Sequence, residues 1–289
     1  MVTRTAAVAR FHRLVAVLYT SFNANGECGM RTLLICHEEE RLNCVALPRW
    51  LASFSTLAGV IVLRETRLQK RRRIQRELKR VGAWRFLDVM AFRFYYSLFL
   101  ARRDWKWEEN RIAELCQHYP EVPSHTPFLV SASPNTPDVC DFLRNASPDL
   151  VIARCKFILK EEVFTIPKHG TFVMHPGICP EYRNAHGCFW ALANDDGKRV
   201  GMTLLRIDAG VDTGPVFGYY RCGYDTRKES HIVIQHRTVF DNLDEIKERL
   251  LQICAGQAMP IDVSGRQSAA WGQPWLTKYF HWKRAGERL

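Results

Sequence analysis

The segment TFVMHPGICPEYRN (Thr171–Asn184) contains the pattern that decides the fold. Its first six residues, Thr171–Pro176, form a short apolar run that predicts a buried strand. A second predicted strand, Val200–Asp208, leads into the glycine-rich sequence DAGVDTGPV. Ligands of open α/β sheets bind at the carboxyl ends of strands, and His175 and Asp212 can meet there.

Further strands are predicted where short apolar runs alternate with helix-like segments. These runs are Thr32–Cys36, Gly59–Leu63, Pro127–Ala132, Asp149–Cys155 and Val216–Cys222. The sequence RLNCVALPRWLAS predicts a helix that Pro48 interrupts. The sequence DNLDEIKERLLQICAG predicts a helix that Asp241 or Asn242 caps and Gly256 ends. This alternation predicts an α/β fold with a largely parallel sheet.

The composition is that of a globular protein with a substantial core. Of the 289 residues, 47% are hydrophobic and 25% are charged, which excludes a disordered tail protein and a fibrous repeat. Every apolar run of spanning length contains charged residues, so we expect no membrane-spanning helix. The ten cysteines are spread evenly and show no zinc-like spacing, which predicts a reducing compartment and no structural metal.

Most of the positive charge is local. Residues 64–80 (RETRLQKRRRIQRELKR) hold nine basic and two acidic side chains, within a chain of net charge +11. The pattern favours a solvated helix, and contact with RNA or an anionic membrane is the alternative. The aromatic-rich stretch 86–101 is too short to span a bilayer. It predicts a buried helix, with a membrane-surface or partner-binding face as the alternative.

The first 27 residues contain Arg4, Arg10 and Arg13 and no acid before Glu27. This pattern is similar to that of a mitochondrial transit peptide. The alternative is a poorly ordered or accessory N-terminal segment. We expect a cytoplasmic protein, with a mitochondrial location as the alternative.

The spacing of six residues resembles that of the formyltransferase family, which includes glycinamide ribonucleotide transformylase, methionyl-tRNA formyltransferase and the sugar N-formyltransferases. The matching residues are His175, Pro180, Tyr182, Arg183, Asp212 and Gly214. The resemblance is specific over residues 127–220 and looser over 31–63. It implies a Rossmann-like formyltransferase fold with a mostly parallel sheet.

The chemistry that the resemblance implies is transfer of a formyl group from 10-formyltetrahydrofolate to a small-molecule primary amine. The amine attacks the formyl carbon, and a tetrahedral oxyanion forms. The resemblance assigns His175 to stabilising that oxyanion and Asp212 to orienting the imidazole and assisting proton movement. A His–Asp pair can perform both tasks.

Val173 departs from the family pattern, because it stands where the family has an asparagine that donates to the oxyanion. Losing one such donor costs roughly 2.7–4 kcal/mol of transition-state stabilisation. Asn184 occupies the usual glycine of the Tyr-Arg-Gly turn and is our candidate for a replacement catalytic donor. The alternative is a turn residue, since asparagine tolerates positive φ.

A second departure is the basic sequence Arg154-Cys155-Lys156, at the strand end where the family holds folate. We assign these residues to binding a phosphate, a carboxylate or the glutamate tail of the folate, with an exposed, solvated strand end as the alternative. Asp208 and Gly210 are also assigned to cofactor binding, with a plain hairpin turn as the alternative.

The predicted organisation is an extension over 1–27, an α/β domain over 28–225 with a helical insertion at about 64–125, and a C-terminal helical extension over 226–289. Only 77 residues follow Asp212, so we expect no large tRNA-binding domain. The acceptor amine and the oligomeric state stay open. The missing asparagine leaves formyl-folate hydrolysis or non-catalytic binding as alternatives to formyl transfer.

Overall fold

The computed structural model describes residues 29–286, and a seven-stranded sheet forms its centre. The order across the sheet is β3-β2-β1-β4-β5-β7-β8. The seven strands are β1 Arg31–His37, β2 Thr56–Leu63, β3 Phe128–Ser131, β4 Leu150–Arg154, β5 Thr171–His175, β7 Met202–Arg206 and β8 Val216–Tyr220. Two short strands, β6 Arg183–Asn184 and β9 Ala270–Trp271, pair with each other outside this sheet.

The five strands from β3 to β5 are parallel, whereas β7 and β8 run antiparallel to their neighbours. The predicted α/β fold with a mostly parallel sheet is therefore confirmed. The direction of winding reverses between β1 and β4, which is where α/β sheets open a crevice at their carboxyl ends. His37 and Arg154 end the two strands at this point.

Helices cover both faces of the sheet. They are α1 Arg41–Ala52, α2 Arg67–Val81, α3 Ala83–Tyr95, α4 Ala101–His118, α5 Pro137–Ala146, α6 Glu161–Phe164, α7 Gly187–Ala193, α8 His231–Phe240, α9 Leu243–Cys254 and α10 Leu276–Gly286. Alternate residues of β1 enter different cores: Leu34 packs in the cluster that includes α1 and α9, and Leu33 packs in the cluster that includes α5. This alternation follows from the two-residue period of a strand.

The stretch 86–101 is not the buried helix that its composition predicts. It comprises most of α3 and a π-helical turn, Tyr96–Leu100, before α4 begins. Val89 and Phe92 are buried, but the opposite face is open, and Phe94 and Phe99 are 68% and 66% exposed. One side of the helix contacts α10, and the side facing away contributes nothing to the core.

Pro48 does not interrupt its helix, since α1 continues from Arg41 to Ala52. Proline removes one backbone donor, but Leu47 and Trp50 on either side are fully buried, and their packing holds the helix together. Helix α9 ends at Cys254, and the predicted terminator Gly256 follows two residues later with positive φ. Asn242 occupies the cap position at the start of α9 without a side-chain capping bond.

The basic segment forms α2, in which no residue is buried. Its cations form ion pairs with nearby carboxylates, including Arg73 with Glu65 and Arg80 with Glu77. These contacts are those of a solvated helix. Contact of this helix with RNA or lipid stays a prediction.

The predicted N-terminal extension lies outside the residues that the structure describes. Within residues 29–286, no helix combines the length and the apolar character needed to cross a membrane. In the same part of the chain, no group of three His, Cys, Asp or Glu side chains has an arrangement that suits a metal ion.

Candidate active site

His175 ends β5, and Asp212 lies in the loop between β7 and β8. The imidazole is 4% exposed, and its Nδ1 lies 3.3 Å from Oδ2 of Asp212. Its Nε2 lies 2.8 Å from the backbone oxygen of Tyr182. The structure therefore brings together the two residues that we expected to meet at this edge of the sheet, and their catalytic roles stay predictions.

The backbone oxygen of Tyr182 only accepts hydrogen bonds, so Nε2 of His175 donates to it. Nδ1 of the same ring faces the carboxylate of Asp212. The hydrogen bond from Nε2 of His175 to the Tyr182 carbonyl must therefore break before Nε2 can donate to an oxyanion on the substrate.

The loop that carries Asp212 is held by its own hydrogen bonds. Oδ1 of Asp208 accepts from the backbone N–H of Gly210 at 3.0 Å and from the hydroxyl of Thr213 at 2.8 Å. A Cβ on Gly214 would lie 1.9 Å from the backbone oxygen of Arg206, so this position requires glycine. Asp208 and Gly210 shape the loop, and their assignment to cofactor binding stays a prediction.

Asn184 adopts φ +75°, a conformation that asparagine tolerates better than most residues. Its backbone N–H donates to Oδ2 of Asp212 at 2.7 Å, and its side-chain amide donates to the backbone oxygen of Trp271. These contacts match the turn role. The role of Asn184 as oxyanion donor stays a prediction, and it requires the bond to Trp271 to open.

Val173 presents no polar atom to the site. It packs against an apolar cluster that includes Cys179, Leu205 and Val216. Val173 and His175 lie two residues apart on β5, so their side chains share one face of the strand. The surroundings of Val173 are therefore apolar in three dimensions.

Arg154 and Lys156 are occupied by other groups of the chain. Arg154 is 8% exposed, so the alternative of a solvated strand end is wrong for this residue. Its guanidinium donates to the backbone oxygen of Met174 and, at 3.4 Å, to the side-chain oxygen of Asn43. Nζ of Lys156 pairs with Glu40 at 3.0 Å. Both cations have partners at the switch point, and their assignment to folate or phosphate stays a prediction.

Burial raises the pKa of the three cysteines near the site, which disfavours their thiolate forms. Burial raises the pKa of Cys155 and of Cys188 to about 12, and it raises that of Cys179 further. A thiol acts as a nucleophile only as thiolate. Cys179 and Cys188 are 1% and 0% exposed, in agreement with the packing role that the sequence favours, and the cofactor-binding assignment of Cys155 stays a prediction.

Sequence reasoning missed the polar group at the end of β1. The ring of His37 is buried, and its Nε2 accepts from the backbone N–H of Lys156 at 2.9 Å. Glu40 follows in the same turn and pairs with Lys156. The sequence HEEER, which begins with the last residue of β1, could have revealed this polar group. Its four charged residues directly follow a buried strand.

Gly177 allows the His175 ring to approach the backbone of Tyr182. A Cβ on Gly177 would lie 2.4 Å from the Tyr182 oxygen, 2.8 Å from Nε2 of His175 and 2.9 Å from Cα of Gly187. Two of these three atoms belong to the backbone, which cannot move aside as a flexible side chain can. The site therefore depends on this glycine for space rather than for a special φ.

We expect Gly177→Ala to lower the free energy of unfolding by roughly 1–3 kcal/mol, the usual cost of overpacking. Urea unfolding measures this change. Gly223→Ala is the matched control, since a Cβ there meets no atom within 4 Å. Equal stability of the two variants would contradict the packing described for His175.

Part of the chain is similar to proteins of known families. Residues 106–241 match the family model described as formyl transferase. This part of the chain is therefore similar to the formyl transferase family. A methionyl-tRNA formyltransferase of Thermotoga neapolitana is 30% identical over 128 residues, which are 44% of this chain and 36% of that relative. The matched region thus spans about a third of the length of this relative.

Solved structures of formyltransferases share the fold of this domain. A sugar N-formyltransferase from a Shewanella species has a TM-score of 0.50 at 13% identity, covering 84% of this chain and 76% of its own. Glycinamide ribonucleotide transformylase 1 from Symbiobacterium toebii has a TM-score of 0.50 at 14% identity, covering 86% and 97%. The predicted Rossmann-like formyltransferase fold is confirmed.

Proposed function

We propose that this protein transfers a formyl group from 10-formyltetrahydrofolate to a primary amine. The observation that carries the proposal is the contact between His175 and Asp212 within the part of the chain that is similar to the formyl transferase family. The carboxylate orients the ring and balances its charge, and a ring that donates from Nε2 stabilises the oxyanion formed when the amine attacks. The ring can also accept or return the amine proton.

The formyl donor needs hydrogen-bonding groups beside this pair. Arg183 is suited to the task, because its Nε is buried without a hydrogen-bond partner while another guanidinium nitrogen donates to the Val211 oxygen at 2.9 Å. We propose that Arg183, together with the backbone next to Cys155, contacts the folate. A pterin ring or a carboxylate supplies the acceptor that Nε lacks.

A second candidate function is formyl-folate hydrolysis or non-catalytic binding at the same site. Two observations favour it: Val173 contributes no donor, and both nitrogens of His175 are engaged within the chain. In the hydrolytic version, water replaces the amine as nucleophile. A binding protein needs neither nucleophile.

One experiment separates these functions. The full chain is incubated with 10-formyltetrahydrofolate alone and with a pool of amine metabolites, including an aminoacyl-tRNA because of the similarity to a methionyl-tRNA formyltransferase. We expect tetrahydrofolate to form together with a formylated amine. Release of free formate without an amine would support hydrolysis, and binding without either product would support the non-catalytic alternative.

A further inference from the structure

A cavity of about 300 Å³ lies between α3, the start of α8 and the segment after β9. Four apolar residues form part of its wall: Val89, Phe92, Ile232 and Pro274. The polar side chains that line it are Arg93, Tyr96, His186, His231 and Gln273. Ligand pockets range from about 300 to 1,000 Å³, so this volume suits a compact metabolite.

The β6–β9 pair connects the cavity wall to the candidate active site. Asn184 ends β6 and donates to Asp212, and its side chain also holds Trp271 at the end of β9. His186 and Gln273, which line the cavity, each follow one of these residues by two positions. Two residues span at most about 7 Å. The cavity wall at His186 is therefore joined by a short stretch of backbone to Asn184, which contacts Asp212.

Two imidazoles contribute to the cavity wall. His231 is 2% exposed, and its Nδ1 has no hydrogen-bond partner. Nδ1 of His186 is buried and unpartnered as well, and the two rings lie 5.7 Å apart. Both Nδ1 atoms are buried within the wall, so the polar contacts that the cavity offers to a bound molecule come from other side chains, Arg93 among them.

Arg93 supplies the formal charge of the cavity. Burial lowers the pKa of His186 to about 4 and that of His231 well below its usual range, so both rings are neutral at physiological pH. Arg93 donates to the Gln273 side chain at 3.2 Å. Glu77 is the carboxylate whose negative charge is felt by Arg93. Its own ion-pair partner is Arg80, at 2.7 Å.

We propose that this cavity binds the acceptor as a compact primary amine that carries one carboxylate and an apolar body, an inference that rests on the proposed formyl transfer. The planar guanidinium of Arg93 matches a carboxylate in charge and geometry. One positive charge balances one carboxylate, whereas a phosphate dianion would leave a negative charge beside two neutral rings. The apolar body packs on Phe92 and Ile232 in the cavity wall.

Binding is measured by calorimetry on the full chain without folate. The carboxylate probes are L-phenylalanine and 4-(aminomethyl)benzoate. Their counterparts without the carboxylate are 2-phenylethylamine and 4-methylbenzylamine, and inorganic phosphate is a further probe. We expect at least one carboxylate probe to bind at least tenfold more tightly than its counterpart without the carboxylate and than phosphate. Absence of binding by both carboxylate probes, or tighter binding of phosphate, overturns the proposal.

Arg93→Met should weaken binding of the carboxylate probe at least tenfold and leave binding of the amine without the carboxylate unaffected. Arg85→Met is the matched control on the same helix, because Arg85 stacks on Trp275 and does not line the cavity. Arg93→Lys keeps the positive charge but loses the paired N–H donors of the guanidinium. This variant is expected to bind the carboxylate probe with intermediate affinity. Equal affinities in all three variants overturn the proposal.

Failure of this proposal is distinguishable from failure of the proposed function. Carboxylate binding that depends on Arg93, without formyl transfer, supports the cavity and rejects the transferase. Formyl transfer to an amine such as aminoacyl-tRNA, unaffected by Arg93→Met, supports the transferase and rejects the cavity as its acceptor site.

Discussion

His175→Ala is expected to lower formyl transfer at least about 100-fold, the scale of a lost oxyanion donor or general acid–base group. In the native protein, Nδ1 of His175 lies 3.3 Å from Oδ2 of Asp212. The alanine side chain neither donates to the oxyanion nor interacts with Asp212. Asp212→Asn should produce a loss in the same direction, because an amide cannot balance a positively charged ring. Single-turnover assays with saturating donor measure both effects.

The control for this series is His125→Ala, since His125 is exposed in the loop before β3. It should leave turnover and melting temperature unchanged. His175→Ala must be compared by thermal melt as well, because the ring is buried against Tyr182. Unchanged turnover in a folded His175→Ala protein would reject this histidine as the key residue.

The second large effect concerns Asn184 and Val173. If Asn184 replaces the family asparagine, Asn184→Gly should raise the barrier by roughly 2.7–4 kcal/mol, the cost of a lost oxyanion donor. Asn184→Ala should be equally inactive and also less stable, because alanine is strained at φ +75° and glycine is not. Comparing turnover with thermal melts separates the lost amide from the strained backbone.

Val173→Asn tests the opposite account, in which the site has lost its chemistry through this valine. The variant should then raise or create formyl transfer, while Asn184→Gly should matter little. Some loss of stability is expected, since Val173 packs in an apolar cluster, and the new amide needs a partner there. If both variants leave activity and stability untouched, neither account of the missing asparagine survives.

Local sequence predicted much of the sheet because buried parallel strands have short, continuous apolar runs. It also placed His175 at the end of one strand and Asp212 in a glycine-rich loop, and the fold brings them together. Local patterns failed where the outcome depended on what covers an element. The stretch 86–101 has the composition of a core helix, yet the structure covers only one side of it.

Charged residues show the same limit. Arg154 was expected to face solvent or ligand, because arginine at a strand end is usually exposed. In the fold, Asn43 and the Met174 carbonyl surround its guanidinium, and neither contact is visible from neighbouring sequence. A buried cation is recognisable only when its partners, separated by up to 111 positions along the chain, are placed beside it.

The sequence by itself determined the alternation of strands and helices, the histidine–aspartate spacing and the apolar side chain at Val173. These properties follow from apolar period, glycine positions and residue identity, all of which are local. Only the tertiary structure decided that the Asn184 amide is engaged by Trp271 and that His186 and His231 face one cavity. The physical reason is that hydrogen-bond partners and cavity walls come from segments far apart in the chain, which packing alone brings together.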